Sequence, residues 1–343
     1  MGEFKIAVVG SGSLARAVCY SFAVGPVPAA VTVLARSGER AAEVAYVAGV
    51  RARLARSAVT FEAREADSFD TVFGEIAPRV VLNCASHHSP WEQGSGWMEL
   101  VRRAGFAITL PLQAQPAMAV ARAAADAHAL LVNACFPDLV NPLLAALGLP
   151  VHCGVGNVAV LTASLRTALE LAPDRELRVL GHHVHLYPPR DPADDALAWL
   201  DGQLVPNVTE LLARQRATPR PELNHVTGYT AALLVQDLLT GAEVRTNLPG
   251  PLGLPGGYPV LLRDSTIALD LPGGLDQASA VAWNQRAALA DGGRVDGDRV
   301  TFAPRAAEAL EPHLPDLAAG FPVGEITTAL DRIVELRDRL RTS

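Results

Sequence analysis

The stretch KIAVVGSGSLARAVCYSFAV, residues 5–24, decides the fold. Residues 5–9 are short, apolar and rich in valine, the pattern of a strand buried on both faces. GSGSLA follows at 10–15, and a helical run takes over. Strand, glycine turn and helix, in that order, form the setting in which G-x-G-x-x-G/A binds a dinucleotide. Gly10 permits the tight turn, and Gly12 lets the backbone approach a pyrophosphate. Ala15 is small enough for the helix to pack closely on the sheet. Ser13 and Leu14 fall in the first helical turn, where N–H groups and the helix dipole favour phosphate.

Working outward, the alternation continues. A second strand is expected over 30–34, ending in ARSGER at 35–40. An acid at this strand end grips the ribose 2′-hydroxyl of NAD; here stand Ala35, Arg36 and Ser37, with Arg40 close behind. Arg36, Ser37 and Arg40 suit a 2′-phosphate, which favours NADP(H). A third strand is expected over 58–61, a helix over 67–76 and a fourth strand over 79–83. A helix over 91–104, a short strand over 107–110, a helix over 113–128 and a sixth strand over 129–133 complete the series. The fold class is therefore α/β: a Rossmann doubly wound parallel sheet over 1–134.

VLNCASHHSPWE, 81–92, leaves the carboxyl end of the fourth strand, where such sheets bind ligands. Cys84, Ala85 and Ser86 are placed beside the cofactor. His87 and His88 serve either cofactor packing and backbone hydrogen bonding or, in one of the two, acid/base chemistry. Adjacent side chains diverge, so a metal shared between them is not expected.

NACFPDLVNPLLAALGLP, 133–150, starts a helix at Pro137 and Asp138. Cys135, Phe136, Pro137, Asp138, Val140 and Asn141 resemble the turn that closes the Rossmann half of the saccharopine dehydrogenase-like reductases. VVLNCASHHSPWE resembles that family's strand-four segment. Asp138 stands where glycine is common, and the resemblance stops near residue 145. It implies reduction of a C=N bond by NADPH, or the reverse oxidation of a secondary amine, in the manner of saccharopine- and opine-type enzymes.

The rest, 135–324, reads as an α+β substrate domain. RELRVLGHHVHLYPPRD, 175–191, reads as a strand ending at Pro188, with His183, His185 and Tyr187 on one face. That face lines the substrate cleft, is structural, or holds zinc with a further ligand; no metal is the preferred reading. Residues 221–239 read as a loop capped by Asn224 and then a helix carrying His225 and Tyr229 on one face. A structured loop is expected over 246–259, hairpins over 258–270 and 293–302, and a helix over 278–289. An amphipathic last helix, 325–341, is expected to return to the Rossmann half. Arg190, Arg245 and Arg263 are candidates for binding a substrate carboxylate.

Composition narrows the function. The chain has 343 residues, half of them hydrophobic, and a net charge of −7. Neither a nucleic-acid nor a membrane partner is expected. Four spaced cysteines point to reduced thiols, and the early first strand leaves no room for a signal peptide, so a cytoplasmic protein is expected. Lys5 is the only lysine, which leaves acid/base work to other groups. The candidates are His87, His88, His183, His185 and His225. The leading expectation is an NADP-dependent oxidoreductase acting on a small-molecule C=N or CH–NH substrate. Alcohol or aldehyde chemistry with the same cofactor, and a catalytically silent nucleotide sensor, stand as alternatives; a homodimer is left open.

Overall fold

The computed structural model describes residues 3–66, 68–89 and 92–342. The expected helix starts at Asp67 and Trp91, and Pro90 of the strand-four loop, lie outside the described residues. Strands and helices alternate through β1 (Phe4–Val9), α1 (Ser13–Phe22), β2 (Ala29–Ala35), α2 (Gly38–Ala55), β3 (Thr60–Glu65), α3 (Phe69–Ile76) and β4 (Val80–Asn83). They continue as α4 (Gly96–Ala104), α5 (Leu110–Asp126), β5 (Leu130–Asn133), α6 (Pro137–Ala146) and β6 (Cys153–Gly154). All six strands are parallel, in the order β3-β2-β1-β4-β5-β6. The order reverses between β1 and β4, the point at which sheets of this topology bind ligands at their carboxyl ends.

Three details differ from expectation. The third strand is Thr60–Glu65 rather than 58–61. It is an edge strand with alternating exposure, so Glu62 and Arg64 do not interrupt it. No strand forms over 107–110: Phe106–Thr109 is a 3-10 turn that runs directly into α5. A short apolar run is ambiguous between buried strand and buried helix, and here the helix wins. The strand at Leu130–Asn133 is thus the fifth; the sixth, Cys153–Gly154, follows α6 and lies beyond residue 134.

The second half forms three small antiparallel sheets among helices. Its elements are α7 (Asn157–Ala168), β7 (Leu177–Leu180), β8 (Leu197–Leu200), β9 (Gln203–Leu204), α8 (Val208–Leu211), α9 (Ala213–Ala217) and α10 (Arg220–Thr240). There follow β10 (Val244–Pro249), β11 (Gly257–Arg263), β12 (Thr266–Leu269), α11 (Gln277–Ala290), β13 (Gly293–Asp296), β14 (Arg299–Phe302), α12 (Pro304–Leu310), β15 (Gly320–Pro322) and α13 (Ile326–Thr342). The expected loop at 246–259 is strand at both ends, since β10 runs to Pro249 and β11 begins at Gly257. The β11–β12 hairpin turns at Asp264 and Ser265, both with positive φ (49° and 63°).

Both sheet faces are covered. On one, α1, α2 and α10 pack with β10–β12 around Val18, Val44, Val235 and Val260. Gly228 of α10 lies so close to Ala17 that a Cβ there would sit 2.5 Å from the Ala17 carbonyl carbon. On the other face, α3, α4 and α5 pack with α13, burying Trp97, Ile108, Ile333 and Leu336. The last helix, α13, packs on α4 and α5. These contacts join the two halves across both faces of the parallel sheet.

Candidate functional site

At the β1–α1 turn, Gly10 takes φ +121° and donates its N–H to Leu34 O at 2.7 Å. A Cβ on Gly10 would stand 3.0 Å from the carbonyl of Cys84, so the turn is pressed against the strand-four loop. Gly12 caps α1, and a Cβ there would meet nothing within 4 Å. The first turn of α1 carries no acid, and Ala15 is buried against the sheet. Ser13 Oγ accepts from Asn224 Nδ2 at 3.1 Å, which brings α10 to this end; Asn224 lies inside α10 rather than capping it. Close backbone behind, open space in front and a helix N-terminus free of acid together fit a dinucleotide pyrophosphate.

At the end of β2, Ser37 caps α2 by accepting from Arg40 N at 3.3 Å, and Arg36 and Arg40 are exposed. One acid that sequence reasoning missed is nearby: Glu65, paired in register with Ala35, lies 3.3 Å from where a Gly38 Cβ would be.

The strand-four loop is held by main-chain bonds. Cys84 N donates to Val9 O at 2.7 Å and Ala85 N to Asn83 Oδ1 at 3.1 Å. Ser86 Oγ accepts from His88 N at 3.0 Å and donates to Gln113 at 2.6 Å. His87 turns towards α5, with Nε2 2.7 Å from Gln115 Oε1. Its carbonyl accepts from Arg337 of α13, while Arg341 pairs with Glu92, holding that carboxyl down at about 2. His88 is 3% exposed, and neither ring nitrogen has a partner. Burial lowers its pKa to about 4. Its ring abuts Phe106 (5.5 Å between centroids) and Trp97 (6.4 Å).

His183 approaches the same phenylalanine from the second half. The expected strand over 175–188 stops at Leu180, after which Gly181 bridges Gly257 and His183–Leu186 forms a 3-10 turn. The two-residue alternation therefore fails, and His183 and His185 do not share a face. His183 stacks on Phe106 at 4.7 Å and meets Phe136 edge-on at 5.2 Å. Its Nδ1 lies 2.7 Å from Asp291 Oδ2, at the C-terminus of α11, and its N–H donates to Asp138 Oδ1 at 3.1 Å. Burial works against the charged ring, but the attraction of Asp291 outweighs it and the pKa is raised. Buried Asp138 also accepts from Asn157, and burial raises its pKa to about 6.

The remaining histidines lie elsewhere. His185 stacks on Trp283 at 5.0 Å and engages main-chain groups through both ring nitrogens. Burial lowers its pKa to about 4. His225 is exposed on α10, where it lines a shallow hollow with Tyr20, Arg51 and Tyr229. Among the described residues, no group of His, Cys, Asp or Glu is arranged to hold a metal. The structure thus brings together His88 and His183 through Phe106, and sets His87, His185 and His225 apart. Asp291 and Phe106 had no local sequence signal, and Phe136 stood out only as part of the turn before α6.

Superposition on solved structures decides what this frame is. The fold is shared with lactate and malate dehydrogenases. A lactate dehydrogenase from a Medee basin deep-sea metagenome matches at TM-score 0.59 and 11% identity, over 97% of this chain and 100% of that one. The malate dehydrogenase of Picrophilus torridus matches at TM-score 0.59 and 13% identity, over 92% and 100%. The lactate dehydrogenase of Cryptosporidium parvum, solved with lactic acid and nicotinamide adenine dinucleotide, matches at TM-score 0.56 and 13% identity, over 96% and 99%. No family model and no curated protein matches the sequence.

These matches overturn the resemblance to the saccharopine dehydrogenase-like reductases, and the C=N chemistry that came with it. The motifs behind it have a structural cause. Asn83 donates to Asn133 Oδ1 (3.0 Å), Asn133 to Asn141 Oδ1 (2.8 Å) and Asn141 to Gly250 O (2.9 Å). This fully buried amide chain turns the loops after β4 and β5. Asparagine there reports how strand ends are built, not which substrate is reduced.

Proposed function

We propose that the protein is a nicotinamide-dinucleotide-dependent oxidoreductase that interconverts a hydroxyl and a carbonyl group on a small molecule. The observation that carries this is the His183–Asp291 pair, 2.7 Å apart, beside the loops leaving β4 and β5. In this reading residues 1–134 hold the dinucleotide and 135–324 supply the proton-handling and substrate groups. The solved structures sharing the fold are lactate and malate dehydrogenases, some with NADH or NAD bound.

Gly10, Gly12, Ser13, Leu14 and Ala15 would hold the pyrophosphate, with Cys84, Ala85 and Ser86 beside the ribose. Bound there, the nicotinamide supplies a hydride acceptor or donor. Asp291 fixes Nδ1 of His183 as the protonated nitrogen and supports positive charge on the ring. His183 Nε2 then takes the hydroxyl proton as the alcohol carbon is oxidised, and returns it when the carbonyl is reduced. Phe106 and Phe136 flank the ring and exclude water from one side.

Arg36, Ser37 and Arg40 support NADP(H); Glu65 is the group that would favour NAD(H). Exposed Tyr46 and Leu54 on α2, with Tyr229 and Leu233 on α10, support a homodimer. Among the described residues no helix is long and apolar enough to cross a membrane, and the four cysteines are free, as suits a cytoplasmic protein. Fluorescence titration with NADPH and NADH tests the cofactor: wild type is expected to bind NADPH at least about tenfold more tightly, a preference that Arg36→Asp reverses. Reduction of a panel of 2-oxo acids and aldehydes, followed by NADPH consumption, tests the reaction. Binding of neither dinucleotide would overturn the reading.

A further inference from the structure

The arginines expected from sequence to meet a substrate carboxylate are spent or remote. Arg245 pairs with Glu176 at 3.1 Å and with Asp270, Arg263 pairs with Glu243 at 2.8 Å, and Arg190 is exposed. Another arginine is placed differently. Arg220, the first residue of α10, lays its guanidinium carbon 4.3 Å over the ring of Tyr187. The same ring lies 6.0 Å from that of His183. Arg220 donates to Leu186 O, on the 3-10 turn that carries His183. It is half-buried, yet among the described residues no carboxylate pairs with it. Four residues earlier the pattern is the opposite: Arg216 is buried against Asp195 at 2.6 Å. One neighbour has its counter-charge built in, and the other does not.

We infer that Arg220 is the specificity-determining group that receives an oxyanion of the substrate, a carboxylate or a phosphate, while the reacting carbon faces His183. The inference rests on the dehydrogenase reading for the reaction but not for the anion site. A guanidinium taken partly out of water loses hydration that only a charged or strongly polar partner restores. Its planar fork matches an oxyanion with two parallel N–H donors, and Tyr187 stacking fixes the plane. Of the five N–H donors of the guanidinium, one goes to Leu186 O and one to the Tyr187 side chain, so in-plane donors remain for a ligand. The position also has an electrostatic cost, since a cation at a helix N-terminus opposes the dipole; an arriving anion removes that cost. Burial holds the Arg220 pKa below its ordinary value, and its charge in turn disfavours a proton on His183. An anion on Arg220 therefore makes His183 easier to protonate, which couples substrate binding to the acid form needed for carbonyl reduction.

Calorimetric titration of the full chain, with and without NADPH, with malonate and with inorganic phosphate as probes, tests this. Wild type is expected to bind at least one of them, and the tighter one identifies the anion. Arg220→Met should weaken that binding by about tenfold or more. Arg220→Lys, which keeps the charge but not the fork, should fall between. Arg332→Met, at a surface arginine paired with Asp316, should leave it unchanged. The His183 ring, followed by NMR, should titrate at higher pH once the anion is bound to wild type. Two results overturn the inference: neither anion binds, or binding survives undiminished in Arg220→Met. Anion binding through Arg220 without any dinucleotide binding would sink the dehydrogenase reading alone. Dinucleotide binding without an Arg220-dependent anion would sink the anion site alone.

Discussion

His183 Nδ1 and Asp291 Oδ2 lie 2.7 Å apart, although 108 residues separate them. The imidazole comes from a 3-10 turn after β7 and the carboxylate from the residue that ends α11. The pair exists only because both segments reach Phe106: His183 stacks on its ring, and Ala107 N donates to Asp291 O at 3.0 Å. Opposite charge across a short contact favours the protonated ring against the burial that disfavours it.

Asp291→Asn removes that charge and leaves only the weaker attraction of Asp138 against burial. The His183 pKa, read from its imidazole carbon–proton signals, should then fall by about one unit or more, since each unit corresponds to about 1.4 kcal/mol of differential interaction. The sign follows for catalysis. In the proposed reaction, alcohol oxidation needs His183 neutral and should rise with pH through its raised pKa in wild type; in the variant that limb moves to lower pH. A His183 titration unchanged in Asp291→Asn would refute the pairing.

Gly10 and Gly12 separate a folding role from a binding role. Gly10 has φ +121° and a carbonyl 3.0 Å from any Cβ, so Gly10→Ala should cost about 1–3 kcal/mol in urea unfolding. Gly12 has ordinary φ, −74°, and open space around it. Gly12→Val should leave the unfolding midpoint nearly unchanged and weaken dinucleotide binding by more than about tenfold, because its side chain fills the space a pyrophosphate needs. Equal binding by wild type and Gly12→Val would show that the cradle is not used.

What the sequence makes legible divides along these lines. The β1–α1 turn is readable because every residue it needs lies within 5–15 and acts through local backbone geometry. β2 and β4 are readable because burial on both faces leaves mostly apolar runs, broken only by Thr32 within β2 and Asn83 at the end of β4. β6 is not, for two residues, Cys153 and Gly154, carry no period. GHHVHLY reads as a strand only while the chain stays extended, and the Gly181–Gly257 bridge ends that run before His183. Asp291, Phe106 and Arg220 gain meaning solely from contacts made across the fold, and nothing in their own neighbourhoods marks them.

His88 is a test of a buried group at low pH. Its folded pKa, about 4, lies below the ordinary 6.5, because burial disfavours the charged ring. Between those values the unfolded chain binds the extra proton, so stability rises with pH across that window. His88→Leu removes this dependence and two unpartnered ring nitrogens. Urea midpoints measured at pH 4.5 and pH 7 should lie closer together in the variant, with no loss at pH 7. A midpoint at pH 7 that drops by an amount equivalent to more than about 1 kcal/mol would show that the ring has a partner it depends on.

The buried amide chain predicts an asymmetry between two asparagines. Asn133 bonds Asn83, Asn141 and the Cys135 main chain, and has no exposed surface. Asn133→Ala strands an amide donor on Asn83 and an acceptor on Asn141 where water has no access. At about 1–3 kcal/mol for each, the total loss should reach about 3 kcal/mol or more. Asn224 also bridges two elements, donating to Ser13, but that bond is exposed to solvent. Water replaces it when it is cut, so Asn224→Ala should cost less than about 0.5 kcal/mol. Because Asn133 also orients the loops after β4 and β5, partial urea titrations of Asn133→Ala should show weakened dinucleotide binding before global unfolding begins. Equal losses of stability from the two substitutions would mean that the chain of amides does not hold the strand ends in place.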